Sequence, residues 1–132
     1  MYKNIVALVM DDDNKWREDF RDALLNFGIS HVDAVSSMDD AIRCIATKKY
    51  DVMVLDTLED YGRRQISGPQ IAFLAVQYGQ TPIIFGVSAT DYARAEWKNP
   101  HFTYEFIGKD TFDTEKFYIL LKEKLASKTR SD

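Results

Sequence analysis

Asp11, Asp12, Asp56, Ser88 and Lys109 are the residues of this 132-residue chain whose types and spacing could do chemistry together. Each follows an apolar, strand-like run. Asp11-Asp12 end Lys3 to Met10 (KNIVALVM), Asp56 ends Asp51 to Leu55 (DVMVL), Ser88 ends Ile83 to Val87, and Lys109 lies just past Phe102 to Ile107. Two adjacent carboxylates suit a hard divalent cation such as Mg²⁺, which takes oxygen ligands and keeps several waters. A third carboxylate then serves as a nucleophile toward a phosphoryl group, whose oxygens a hydroxyl and an ammonium receive. A carboxylate attacking a phosphoryl donor meets like-charge repulsion, which a cation and Lys109 offset. Without a cation, Asp11, Asp12 and Asp56 repel one another and raise at least one carboxylate pKa.

These residues meet only if their strands lie side by side. The nearly unbroken apolar run Lys3 to Met10 predicts a central parallel strand covered on both faces. Trp16, Phe20, Leu24 and Phe27 fall at steps of four, four and three, one side of a helix from about Asn14 to Phe27 that Gly28 stops. A strand at Val32 to Val35 leads to Ser36-Ser37, either of which caps a helix carrying Met38, Ala41, Ile42 and Ile45. Asp51 to Leu55 is the third strand, followed by a long polar segment, Thr57 to Ser67. Gly68-Pro69 begins a helix with Ile71, Leu74, Ala75 and Tyr78. Ile83 to Val87 is the fourth strand and Ser88 to Lys98 a weakly apolar helix. Phe102 to Ile107 is the fifth strand, and a last helix spans about Asp113 to Ala126. Five strands alternating with five helices imply a three-layer, doubly wound α/β fold with a five-stranded parallel sheet. Ligands in such folds sit beyond the C-terminal ends of the strands, where all the polar residues named above stand.

Composition narrows the function classes. With 17 Lys and Arg against 21 Asp and Glu the net charge is −4, contrary to non-specific nucleic-acid binding. The single Cys44 forms no internal disulfide, and with two histidines it is too few soft ligands for structural zinc; a cytoplasmic setting is expected. Ile5 to Met10 is too short to span a membrane and ends in Asp11-Asp12-Asp13, not in a cleavage site.

The carriers VMDDD (Val9 to Asp13), MVLD (Met53 to Asp56), PIIFGVSA (Pro82 to Ala89) and FIGK (Phe106 to Lys109) make the chain resemble the receiver domain of two-component response regulators over about Lys3 to Ala126. Successive intervals of 45, 32 and 21 residues separate Asp11, Asp56, Ser88 and Lys109, as in that family. The resemblance implies a flavodoxin-like sheet in the order 2-1-3-4-5. It makes Asp56 the phosphoacceptor. Asp11, Asp12, Asp56 and the backbone carbonyl of Leu58 become ligands of Mg²⁺ or Mn²⁺. Ser88, Lys109 and the backbone of Ala89 become phosphoryl-binding groups, with Ser88 and Phe106 as the switch pair. The partners it implies are a histidine kinase or histidine phosphotransfer protein, and a downstream protein, a fused output domain or a second copy meeting the face of the fourth helix, fifth strand and fifth helix. The domain is then 1–126, a regulatory phosphoacceptor without substrate turnover, and 127–132 a polar tail or linker stub. Asp110 stands where the family usually has proline, the segment after Asp56 is longer than usual, Ser88 replaces the commoner threonine, and Gly86 weakens the fourth strand.

Plainer readings and other functions compete. Asp13 reads as a helix cap, and Asp11-x-Asp13 superficially fits a haloacid-dehalogenase-type phosphohydrolase, but that reading leaves Asp56 without a role. A receiver-like interaction module that takes no phosphoryl group is the other alternative. Trp97 reads as a partner anchor or a core contact. Arg63 and Arg64 read as solvated loop charges, Cys44 as a small apolar group, and His31 and His101 as residues without a nucleophile to serve. Gly62 and Gly68 do not form a phosphate loop, because Pro69 stands where such a loop needs lysine.

Overall fold

The computed structural model describes residues 2–57, 59–60, 65–98 and 102–131. Its sheet is formed by β1 (Val6–Met10), β2 (His31–Val35), β3 (Val52–Asp56), β6 (Ile83–Ser88) and β7 (Glu105–Gly108), all parallel, in the order β2-β1-β3-β6-β7. This is the expected five-stranded sheet. A short antiparallel pair, β4 (Glu59–Asp60) and β5 (Gln65–Ile66), forms within the long polar segment after Asp56, where no strand is expected. Gly62, Arg63 and Arg64 lie outside the described residues, as does His101.

Four α-helices cover the sheet: α1 (Asn14–Phe27), α2 (Met38–Thr47), α3 (Ser67–Gln77) and α4 (Thr114–Ser131). Where a fifth was expected, at Ser88 to Lys98, the chain instead forms a 3-10 segment, Asp91–Trp97. That run is weakly apolar, without the recurring stripe of an amphipathic helix, and Trp97 within it is fully buried. The last helix continues past Ala126 to Ser131, and Lys128 fastens the extra stretch by bonding Thr81 O at 3.0 Å and pairing with Asp51 at 3.5 Å.

Local chemistry sets the helix ends. The Asp13 carboxylate accepts from the N–H groups of Lys15 and Trp16 and caps α1; Ser37 does the same for α2 through Asp40 N–H, which decides between the two candidate serines. Gly28 ends α1 at φ +118°, a left-handed conformation that a side chain would strain.

Strand alternation divides the interior in two. Ala7, Val9, Val52, Val54, Phe85 and Val87 face α1 and α4, meeting Phe20, Leu24, Phe117 and Leu121. Leu8, Met10, Met53, Leu55 and Ile84 face the other way, toward Ala41, Ile45, Ile71 and Ala75. Gly86 belongs to this second face, and Trp97 fills the space its absent side chain leaves. A Cβ on Gly86 would lie 2.5 Å from Trp97 Cε2, and one on Gly68 would lie 2.7 Å from Trp97 Cζ2 and 2.6 Å from the backbone oxygen of Asp56. The glycine that looked like a weakness in the strand is the seat of the indole.

Gly86→Ala is therefore expected to lower stability by about 1–3 kcal/mol through overpacking. The measurement is a lower urea midpoint at unchanged slope. The loss should shrink in a Trp97→Leu background, and an unchanged midpoint in the single variant would contradict this packing.

Candidate functional site

Strand register brings the polar residues to one end of the sheet. Met10 pairs Leu55 and Asp56 pairs Val87, so Asp11, Asp56 and Ser88 follow one another across β1, β3 and β6. Ser88 pairs Gly108, and Lys109 comes next, opening a 3-10 turn at Lys109–Thr111. Asp110 in the usual proline position does not keep Lys109 away from the site. Its Nζ lies 3.0 Å from Asp11 Oδ2 and 3.1 Å from Asp56 Oδ1, and none of these three side chains is more than 8% exposed.

The carboxylates are unequally satisfied. Asp11 Oδ1 accepts from Asp13 N–H at 2.9 Å and from Lys109 Nζ at 3.3 Å. Asp11 Oδ2, though ion-paired with the ammonium, accepts no hydrogen bond among the described residues. A buried carboxylate oxygen left this way is costly unless something else binds it. Asp12 is exposed, and one ligand oxygen each from Asp11, Asp12 and Asp56 lies within 4.8 Å of the others. An all-oxygen set with one such orphan atom fits a hard divalent cation. The Leu58 carbonyl lies outside the described residues. Asp13 is occupied as the α1 cap, so its side chain takes no part in the cluster. Arg17 donates to the backbone oxygen of Asp11 at 3.0 Å and contacts Asn14, steadying the β1–α1 turn.

Charge and burial act together on these groups. Burial, reinforced by the negative charge of Asp11, pushes Asp56 up to about 7 although Lys109 pulls the other way. Burial also raises Asp11. Burial alone would lower Lys109, but its pairing with Asp56 and Asp11 outweighs that and raises it. Lys109 lies 5.6 Å from the Trp16 ring, so Trp16 stands beside the site.

The remaining candidates flank the cluster. Ser88 is buried; its Oγ accepts from Thr90 N–H at 3.1 Å and lies 3.3 Å from Thr90 Oγ1. Ala89, between them, is exposed. Phe106 is half-buried on β7 beside Gly86, and Arg94 covers its ring at 4.5 Å. Thr57, which the sequence does not mark as a candidate, and Trp97 belong here as well. Thr57 Oγ1 donates to Val87 O at 3.2 Å and accepts from Trp97 Nε1 at 2.6 Å. The sign of Thr57 in the sequence is its place directly after Asp56, at the end of an apolar strand. Trp97 is fully buried and packs on Tyr104 and Phe102, so it is a core contact.

No family model matches the chain, and no curated protein matches it. Solved structures do. A CheY-like response regulator receiver domain protein from Methanospirillum hungatei JF-1 is 14% identical with a TM-score of 0.81, covering 97% of this chain and 98% of that one. A receiver protein from Sinorhizobium medicae WSM419 is 23% identical, TM-score 0.71, covering 86% of this chain and 87% of that one. Response regulator protein TrrA from Thermotoga maritima, in complex with Mg(2+)-BeF, is 22% identical, TM-score 0.71, covering 93% of this chain and 97% of that one. Likeness over nearly the whole chain at such low identity identifies the architecture.

A raised Asp56 sets a pH dependence. Folded Asp56 holds its proton up to about pH 7, whereas its ordinary value is 3.8. Between those limits the folded state binds more protons than the unfolded, so this group makes stability fall as pH rises, by up to about 1.4 kcal/mol per pH unit. In chelator-treated buffer, Asp56→Asn should flatten that decline and exceed the wild type in Tm above its upper end. Equal slopes for the two proteins would contradict the strained cluster.

Proposed function

We propose that this chain, whose fold is that of response-regulator receiver domains, takes a phosphoryl group onto Asp56 from a histidine kinase or a histidine phosphotransfer protein, and so changes a surface that another protein reads. The observation that carries the reading is the buried Lys109 ammonium set between Asp11 and Asp56 in a three-carboxylate cluster. Packing does not require such a cluster, and phosphoryl transfer can use it, the carboxylates as nucleophile and cation ligands and the ammonium as a counter-charge.

Asp11, Asp12 and Asp56, with the backbone carbonyl of Leu58, would hold Mg²⁺ or Mn²⁺, which when bound supplies the positive charge that lets a carboxylate approach a phosphoryl group. A carboxylate oxygen of Asp56 attacks the phosphorus of the donor's phosphohistidine. The O–P bond forms as the P–N bond breaks, and the electron pair of that bond stays on the imidazole nitrogen. Lys109, already 3.1 Å from Asp56 Oδ1, neutralises charge on the transferred oxygens. The Ser88 hydroxyl and the Ala89 N–H bind the other oxygens.

In moving to the phosphoryl group, Ser88 gives up its bond from Thr90 N–H. Phe106 then turns inward from beneath Arg94, and the face formed by the 3-10 segment, β7 and α4 changes. The phosphoryl group acts as a ligand that binds one of two states better and so shifts their populations. That face meets a downstream protein, a fused output domain or a second copy of the chain. We assign residues 1–126 to the receiver, place it in the cytoplasm, and give it no catalysis beyond its own phosphorylation and dephosphorylation. No helix among the described residues is long and apolar enough to cross a membrane.

Incubation with a small acyl-phosphate donor and Mg²⁺ should add the mass of one phosphoryl group. Asp56→Asn should show no gain, and chelation should abolish it in the wild type. An unchanged wild-type mass, under conditions that modify an ordinary receiver, would overturn the reading.

A further inference from the structure

The 3-10 segment Asp91–Trp97 is fastened at both ends to groups of the Asp56 site. At its start, Thr90 donates its N–H to Ser88 Oγ at 3.1 Å. At its end, Trp97 donates Nε1–H to Thr57 Oγ1 at 2.6 Å, and Thr57 is the residue after Asp56. Thr57 in turn spans the sheet, giving both its N–H, at 2.8 Å, and its hydroxyl, at 3.2 Å, to Val87 O, directly before Ser88. Both hydrogen-bonding roles of one hydroxyl are thus used, one toward β6 and one toward the indole.

We propose that Trp97 is a positioning residue that couples the state of Asp56 to the 3-10 segment through Thr57, separately from Ser88 and Phe106; the inference rests on the phosphoacceptor reading above. The argument is one of packing and connection. The indole is fully buried and bears on the backbone at Gly86 and Gly68, where even a Cβ would come within 2.5 and 2.7 Å of its ring atoms. It has no room to move inward. Any change in the spacing of the β3 and β6 ends pulls on Val87 O, on the Thr57 hydroxyl and so on Nε1–H. A buried Nε1–H that loses its acceptor is unsatisfied, so the ring must follow Thr57 or leave its seat, and in either case the segment moves with it. Gly68 adds a second contact, because it lies against both the Asp56 carbonyl and the indole, joining the start of α3 to the same unit.

The test uses the full chain labelled with fluorotryptophan, followed by fluorine NMR while Mg²⁺ and beryllofluoride are added. Trp16 and Trp97 give one resonance each, assigned by loss of a signal in Trp97→Phe, and bound beryllofluoride appears in its own region of the same spectrum. The expected result is a Trp97 shift that grows with bound fluoride, kept in Phe106→Ala and lost in Thr57→Val, which retains the shape of residue 57 but not its acceptor. An unmoved Trp97 signal in the wild type with fluoride bound overturns the inference and leaves the phosphoacceptor reading standing. So does a full shift in Thr57→Val, or a shift abolished by Phe106→Ala. No bound fluoride in the wild type overturns both. The wild-type measurement stands by itself if a variant fails to fold.

Discussion

Lys109 reaches from the end of β7 to Asp11 and Asp56, at 3.0 and 3.1 Å, and the arrangement of the sheet end depends on that buried pairing. One ammonium balances two buried carboxylates, and the exposed Asp12 adds a third negative charge nearby. Removing the ammonium would leave two buried carboxylates uncompensated, whereas neutralising one carboxylate relieves the other, so the cluster is held by electrostatics that are never fully satisfied. Asp56, raised to about 7, and the orphaned Oδ2 of Asp11 are two expressions of the same shortage of positive charge. A divalent cation fits such a site because it relieves the excess of carboxylate.

The two faces of the sheet serve the site differently. On the α1 and α4 face, large side chains interlock in the ordinary way, Phe85 against Phe117 at 4.9 Å between ring centroids and Phe20 against Phe112 at 5.0 Å. On the other face, beneath β6, a single indole takes the place of strand side chains and reaches the backbone itself. Close packing of this kind transmits displacement, because there is no void to absorb it. Function and packing therefore overlap at Thr57, Gly86 and Trp97, which contribute no reacting group.

Much of this was legible in the sequence, and the reasons are particular. KNIVALVM reads as a central strand and DVMVL as the third because their nearly unbroken apolar runs fit strands covered on both faces. The strand-end positions of Asp11, Asp56, Ser88 and Lys109 followed from those runs. Periodicity could not show that Gly86 faces Trp97, because that contact is set by how a non-periodic segment returns to the sheet. Nor could it show the β4–β5 pair, whose residues lack the apolar alternation of a buried strand. Ser127 to Asp132 reads as a polar tail because SKTRSD carries no apolar stripe and is rich in Ser, Thr and Asp, which favour helices weakly.

Calorimetric titration of Mg²⁺, above the pH at which Asp56 ionises, tests the central claim most directly. The account predicts saturable binding of one ion per chain at millimolar concentrations or below, and its loss in Asp11→Asn. A wild-type chain that binds no Mg²⁺ in that range would contradict it.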